Sequence, residues 1–76
     1  MSVRIELDWA GDVAPETTSS DDVQVRVIAE RGPAAGWPVI EVTATDGQAL
    51  WAWLRDAYGC DDDDASELAS MAYAVA

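Results

Sequence analysis

The chain has 76 residues, one cysteine and a net charge of −11, because fifteen acidic residues face four Arg with neither Lys nor His. A charge of this size argues against direct binding to nucleic acid or anionic membranes, and it favours basic protein surfaces as partners. The length predicts one domain, residues 1–76, and the single Cys60 excludes an internal disulfide.

Residues 3–9 alternate between apolar and polar side chains. The alternation predicts a half-buried strand, whose inward face is formed by Val3, Ile5, Leu7 and Trp9. This segment has no hydrophobic run of the signal-peptide type, and nothing in the chain reaches the roughly 18 apolar residues that span a bilayer. We therefore expect a cytoplasmic protein without a membrane partner.

Two more strands are predicted after a loop. Residues 10–22 carry Gly, Pro, Ser and Thr, which predicts a mobile or functional loop of about 13 residues. Alternation resumes in residues 23–30 and 38–45, with inward positions Val23, Val25, Val27, Ala29, Ile40, Val42 and Ala44. The turn at residues 31–37 is short enough for antiparallel pairing. Trp37 either covers the open edge of the sheet, which we favour, or projects from the turn.

The periodicity becomes helical after residue 45. Thr45 and Gln48 match a capping box. The apolar face that follows has helical spacing and consists of Leu50, Trp53, Leu54, Ala57 and Tyr58. Gly59 matches the left-handed residue that ends many helices, so a first helix is predicted to end there.

A second helix is predicted to run to the C-terminus. Asp64 and Glu67 match its cap, and its apolar face consists of Leu68, Met71, Ala72 and Val75. The predicted order is β-β-β-α-α. This order gives an α+β domain in which a three-stranded antiparallel sheet carries two C-terminal helices on one face.

The run Asp61–Asp64 has two interpretations. Acids in the first turn of a helix each stabilise it by about 0.3–1 kcal/mol at low salt, and one or two of them are enough for that role. The others favour a binding surface for a basic partner. Counted from Asp61, the sixth and twelfth residues are Ser66 and Ala72 where an EF-hand needs Gly and Glu, so we expect no metal site.

Trp51 is the most informative aromatic residue. It lies about 200° from Trp53 around the first helix, so both cannot face the sheet, and Trp53 belongs to the apolar stripe. Trp51 shares its face with Arg55 and Tyr58, a composition typical of interface hot spots. The alternative is that the second helix covers Trp51.

Few residues in this chain are suited to catalysis. His and Lys are absent, and Cys60 has no imidazole partner and has acidic neighbours that raise the pKa of a thiol. Paired carboxylates that hydrolyse glycosides need a substrate cleft, for which a two-layer domain of this size has little depth. We expect neither an enzyme nor a cofactor.

These residues favour a non-catalytic acidic protein that occludes a basic, nucleic-acid-binding surface of a larger protein. Acidic residues would attract the partner, and aromatic residues would supply short-range affinity. Acids in a line would imitate a nucleic-acid backbone, since the peptide rise of about 3.3–3.6 Å is close to the phosphate spacing. The predicted partner-binding residues are Asp21, Asp22, Trp51, Asp56, Tyr58, Asp61, Asp62, Asp63, Asp64 and Glu67.

In size, acidity, compact α+β layout and lack of catalytic groups, the chain resembles the small phage-encoded anti-defence proteins, anti-CRISPR proteins among them. The resemblance covers gross character and no motif, and it implies a CRISPR effector or another nucleic-acid-handling enzyme as partner. An antitoxin that neutralises a basic toxin would rely on the same electrostatic attraction.

The alternative is a self-associating structural or assembly module, most simply a homodimer. Its acidity would reflect solubility, a GC-rich genome or adaptation to high salt.

Overall fold

Residues 2–9, 13–29 and 37–75 are described by a computed structural model of the chain. Four strands in these ranges form one antiparallel sheet: β1 (Ser2–Asp8), β2 (Val23–Ala29), β3 (Val39–Ala44) and β4 (Tyr73–Val75). Their spatial order is β2-β3-β1-β4. The two central strands are therefore β3 and β1, and β3 lies between β1 and β2.

The inward alternation predicted for the first three strands is confirmed except at Ala29, which follows a register shift on β2, lies opposite Val39 and does not pack against the core. Val42 on β3 lies opposite Ile5 on β1 and Val25 on β2, and all three side chains are buried. Burial is most complete on β3, because this strand pairs along its length with both β1 and β2, whereas β4 pairs only with the start of β1. Val3, Leu7 and Val27 are partly buried and pack against the same core.

Helices cover the inward face of the sheet. The first helix, α1 (Gly47–Trp53), continues into a π-helical turn (Leu54–Tyr58) that ends at Gly59 with φ 86°. Residues with a Cβ adopt this left-handed conformation at a cost, so Gly59 confirms the predicted helix end. The second helix, α2 (Asp62–Met71), packs mainly against α1 and the π-helical turn. In the described part of the chain, neither helix has the length and hydrophobicity needed to cross a membrane.

The core lies between the sheet and α1. Leu50, Trp53 and Leu54 are buried on α1 and its continuation, as the helical spacing predicts. A fully buried aliphatic side chain contributes about 1.5–3 kcal/mol, so this stripe holds the helix on the sheet. The second helix contributes the buried Ala65 to this core. Its small side chain lets α2 approach α1 closely.

The predicted order is wrong at its C-terminal end. The helix predicted to continue through Val75 ends at Met71, and β4 follows it and pairs antiparallel with β1. Without β4, β1 would be an edge strand with unpaired backbone groups. The hydrogen bonds that this segment forms with β1 stabilise it more than another helical turn would, although its sequence has helical periodicity. Met71, which was predicted for the apolar helix face, is 67% exposed.

Both helix caps differ from the prediction by a few residues. The cap of α1 is Asp46 in place of Thr45, and its carboxylate accepts the N–H of Ala49 at 2.8 Å. The cap of α2 is Asp61, which accepts the N–H of Asp64 at 2.8 Å. Asp is at least as good a cap as Thr, and a cap at Asp61 places the rest of the acidic run in the first helical turn, where the macrodipole favours it.

The predicted loop at residues 10–22 is more ordered than expected. It contains a 3-10 helix, Pro15–Thr18, whose Pro15 is buried. The hydroxyl of Thr18 accepts the indole N–H of Trp53 at 3.0 Å, which fixes this segment to α1. Residues 10–12 of the loop and residues 31–36 of the predicted turn lie outside the described residues.

The expectation that Trp37 covers the sheet edge is wrong, because its side chain is 50% exposed. The reason lies in the strand order. Trp37 precedes β3, and β3 is a central strand. Trp37 therefore lies at an end of the sheet, away from its open edges.

Candidate acidic binding surface

Apart from Tyr58, the predicted partner-binding residues occupy two sites on the helical side of the molecule. The first site is the junction of α1 and α2. We call it the helical surface, and it comprises Trp51, Arg55, Asp61, Asp62, Asp63, Asp64 and Glu67. The second site is a groove between α1 and the segment before β2, where Asp22 and Asp56 lie with Asp21 nearby in the chain.

The four Asp residues of the run are exposed, as is Glu67. Two of them have internal roles: Asp61 caps α2, and the Oδ1 atom of Asp62 lies 2.8 Å from Nε of Arg55. Both side chains of this ion pair are exposed, so it contributes about 0–1 kcal/mol to the free energy of unfolding. The carboxylates of Asp63, Asp64 and Glu67 have no ion pair or hydrogen bond with any residue that the structure describes. Asp61 and Asp62 therefore fit the structural interpretation of the run, and Asp63, Asp64 and Glu67 fit the interpretation as a binding surface.

The side chain of Trp51 is half-buried. It is therefore intermediate between the two predicted alternatives, an exposed interface residue and a residue covered by the second helix. Its indole N–H donates to the hydroxyl of Ser66 on α2 at 3.1 Å. The guanidinium of Arg55 lies over the ring at 5.2 Å from its centroid, within the range of a cation–π contact. The second helix thus covers part of Trp51, and the rest of the ring stays accessible next to Asp62 and its ion-pair partner.

Tyr58 does not share a face with Trp51. It packs against Trp53 and Trp9, with ring centroids 5.8 and 6.2 Å away, and its hydroxyl donates to the backbone oxygen of Asp8 at 2.7 Å. The cause is the π-helical turn, whose i→i+5 hydrogen bonds give more residues per turn than an α-helix, so that Tyr58 is rotated away from Trp51 and towards the core. The prediction that Tyr58 belongs to the apolar stripe is confirmed, and its predicted juxtaposition with Trp51 is wrong.

The groove has a volume of about 280 Å3. Its walls are one face of α1 with the π-helical turn, and the segment from Thr18 to the start of β2. The lining residues are Thr18, Ser20, Asp22, Val23, Ala49, Ala52, Trp53, Asp56 and Ala57. Asp22 and Asp56 are exposed and come from different walls, so the structure brings together two predicted residues that are far apart in sequence.

The opposite side of the molecule is the open sheet face, formed by the outward side chains of the four strands. Its charged residues are Arg4, Glu6, Asp8, Arg26 and Glu41. Oε1 of Glu41 lies 3.1 Å from Nη2 of Arg26 and 3.6 Å from Nε of Arg4, and Arg4 also donates to Thr43 at 3.0 Å. The face also exposes Ile28 and Tyr73. It is therefore close to neutral and partly apolar.

Cys60, the single thiol of the chain, immediately precedes the acidic run of the helical surface. Burial, followed by the carboxylates of Asp64 and Asp61, raises the pKa of the Cys60 thiol, so the direction predicted from its acidic neighbours is confirmed. A protonated thiol is a weak nucleophile. Among the described residues, no group of three or more His, Cys, Asp or Glu is arranged to hold a metal ion.

Sequence reasoning missed the groove and the aromatic cluster of Trp9, Trp53 and Tyr58. The small residues Ala49 and Ala52 have helical spacing beside Trp53, which is a signal for a shallow face. The other wall could not be located, because the 3-10 helix that positions Thr18 has no comparable pattern. No family model, curated protein or solved structure matches this chain.

Proposed function

We propose that this protein is a non-catalytic acidic binding protein that occludes a basic surface of a larger protein. The observation that carries the proposal is the helical surface, which exposes five carboxylates against one Arg. Its uncompensated carboxylates create a field that accelerates and orients the approach of a basic partner. The accessible part of Trp51 supplies apolar contact next to these acids, as in interface hot spots.

The class of partner follows from the same charge. Basic surfaces of the required extent occur where proteins bind the phosphate backbone of DNA or RNA. We propose a nucleic-acid-handling enzyme, of which a CRISPR effector is the example that the resemblance to anti-defence proteins implies. Inhibition would be competitive, because the acidic protein and the nucleic acid would occupy the same basic surface.

A low-salt pull-down of the tagged protein from its host lysate tests this proposal. We expect a basic nucleic-acid enzyme that about 0.5 M salt releases, because screening weakens charge–charge contacts, and that added DNA or RNA also displaces. The variant Asp62→Asn/Asp63→Asn should retain less of the partner. Its matched control, Glu6→Gln/Asp8→Asn, removes the same charge from the open sheet face and should retain the partner normally.

Recovery of no basic protein, or equal loss with both double variants, would contradict occlusion by the helical surface. The second result would mean that net charge alone determines binding. Displacement by salt without displacement by nucleic acid would contradict the nucleic-acid-binding class of partner, because the two ligands would then use different surfaces.

A second function, self-association, is favoured by one observation. The open sheet face exposes the apolar side chains of Ile28 and Tyr73 while its charges nearly balance, so two copies could meet there with little repulsion. Sedimentation at micromolar concentration distinguishes the two proposals. A dimer that salt leaves unchanged or strengthens would support the assembly module, and a monomer at every salt concentration would exclude it.

A further inference from the structure

The groove beside α1 is suited to a single extended side chain. Its volume of about 280 Å3 is just below the range of about 300–1,000 Å3 that drug-sized ligands occupy. The small side chains of Ala49 and Ala52 on α1 and of Ala57 on the π-helical turn leave this space open. An alkyl chain a few carbons long could lie along these residues, whereas a bulky ligand would project into solvent.

The charges of the groove select a cation. Asp22 comes from one wall and Asp56 from the other, and no Arg is among the described residues that line the groove. Neither carboxylate has an ion pair or side-chain hydrogen bond within the described ranges. Two carboxylates above a largely apolar floor complement a side chain with an alkyl stem and a cationic head.

Internal bonds hold the groove in shape without using its carboxylates. Trp53 at the floor is 5% exposed and donates its N–H to Thr18. Thr18 in turn donates its hydroxyl to the backbone oxygen of Pro15 at 2.6 Å. On the other side, the backbone N–H of Thr45 donates to the backbone oxygen of Asp22 at 2.9 Å. Both walls are thus fixed before a ligand arrives, which reduces the ordering cost of binding.

We propose that this groove receives an arginine side chain of the basic partner. The planar guanidinium presents five N–H donors and is more weakly hydrated than an ammonium, so it can bind carboxylates from two walls at a lower desolvation cost. The partner as the source of this arginine rests on the proposed function. The affinity of the groove for a guanidinium belongs to the groove itself and is measurable without the partner.

A two-dimensional amide NMR titration of the full chain with N-acetyl-arginine amide tests the proposal. N-acetyl-citrulline amide, which has nearly the same shape without the charge, is the matched ligand. We expect saturable shifts at residues lining the groove with the arginine compound and none of comparable size with citrulline. The spectrum of each variant also shows whether it is folded, which matters little for Asp56 because its side chain is exposed.

Asp56→Asn and Asp22→Asn should each weaken the binding about tenfold, the effect of losing one charge-assisted hydrogen bond. Glu6→Gln removes an equal charge from the open sheet face and should leave the affinity unchanged within about twofold. Shifts centred on residues 61–64, or equal weakening by all three variants, would overturn the proposal in favour of diffuse attraction. The titration contains no partner protein, so the two experiments fail independently. Absence of binding in the titration would overturn the arginine site and not the proposed function. Absence of a partner in the pull-down would overturn the proposed function and not the affinity of the groove for a guanidinium.

Discussion

The open sheet face and the helical surface both carry several charged residues. Positive and negative charges nearly cancel on the open sheet face, whereas acids predominate on the helical surface. On the sheet, Arg4 and Arg26 both lie within ion-pair distance of Glu41, whose side chain is 15% exposed. On the helices, Arg55 pairs with Asp62 and with no other acid that the structure describes, and the other acids of the run are exposed without an ion-pair partner in the described ranges. Of these two surfaces, the helical surface therefore carries the larger net negative charge, and it would attract a basic molecule more strongly than the open sheet face.

This difference bears on why the chain is acidic. A compositional bias from genome or salt acts on every exposed position alike, and it accounts for acids on both faces. It does not account for four adjacent Asp residues at a helix start where one cap and one ion pair use two of them. The unequal balance favours a selected surface on the helical side. The predictions below test this comparison by altering matched residues on the two sides.

The largest effect is expected from Trp53→Ala, which removes the side chain that joins the helices to the sheet and to Thr18. Replacing a buried Trp costs about 3–5 kcal/mol. The matched change is Trp37→Ala, which removes a half-exposed ring at the end of the sheet and should cost less than about 0.5 kcal/mol. Chemical denaturation followed by circular dichroism measures both, and similar losses would contradict the assignment of the core.

Trp51→Ala should lower the free energy of unfolding by about 1–2 kcal/mol, less than full burial would give, because α2 covers only part of the ring. The variant should remain folded and lose retention of the basic partner. Trp51→Phe keeps an aromatic ring under Arg55 and removes the N–H that Ser66 accepts, so it should retain more binding. Unfolding of Trp51→Ala would place this residue in the core and remove it from the binding surface.

Asp62→Asn/Asp63→Asn should leave the free energy of unfolding unchanged or raise it by less than about 1 kcal/mol. Repulsion within the run falls, the cap at Asp61 remains, and the lost ion pair with Arg55 is exposed and weak. Glu6→Gln/Asp8→Asn is the control with the same change in charge. If only the first variant unfolds, the acids hold the structure, and a stability measurement with and without EDTA would show whether a metal is involved.

The smallest effect is expected from alkaline pH. Burial, then Cys60 and Asp8, raises the pKa of Tyr58 above 10.0, and burial raises that of Cys60 above 9.0. Folding therefore favours the protonated forms, so their contribution to stability is complete below pH 9 and is lost as pH rises through the folded-state values. Thermal unfolding between pH 7 and 11 should show a decline that Tyr58→Phe and Cys60→Ser reduce. A stability that both substitutions leave equally pH-dependent would contradict this origin.

The sequence predicts the parts of the fold that alternation and helical spacing control. Ile5, Val25 and Val42 follow from period-two patterns, and Leu50 and Leu54 follow from the helical stripe. Residues 73–75 could not be assigned to a strand, because three residues are too few to show an alternating pattern. They are stabilised as a strand by hydrogen bonds to β1, which is far away in sequence. The same limit applies to the 3-10 helix before β2.

The candidate site is predictable in composition and less so in geometry. Exposure of the Asp run follows from its charge, and contact between Trp51 and Arg55 follows from their spacing of four residues. The rotation of Tyr58 depends on a π-helical turn that the sequence does not signal. The approach of Asp22 to Asp56 depends on a loop packing against α1, which local patterns do not determine.

The strand β4 is three residues long, and its pairing protects the outer edge of β1 from solvent. A segment this short opens locally at a small fraction of the free energy of global unfolding. The β1 amides that β4 protects should therefore exchange their hydrogens before those in the ladder between β1 and β3. Each opening also presents an unpaired strand to other copies, which is a route to aggregation. Mutual repulsion between molecules of charge −11 opposes that route, so the acidity contributes to colloidal stability whatever else it does.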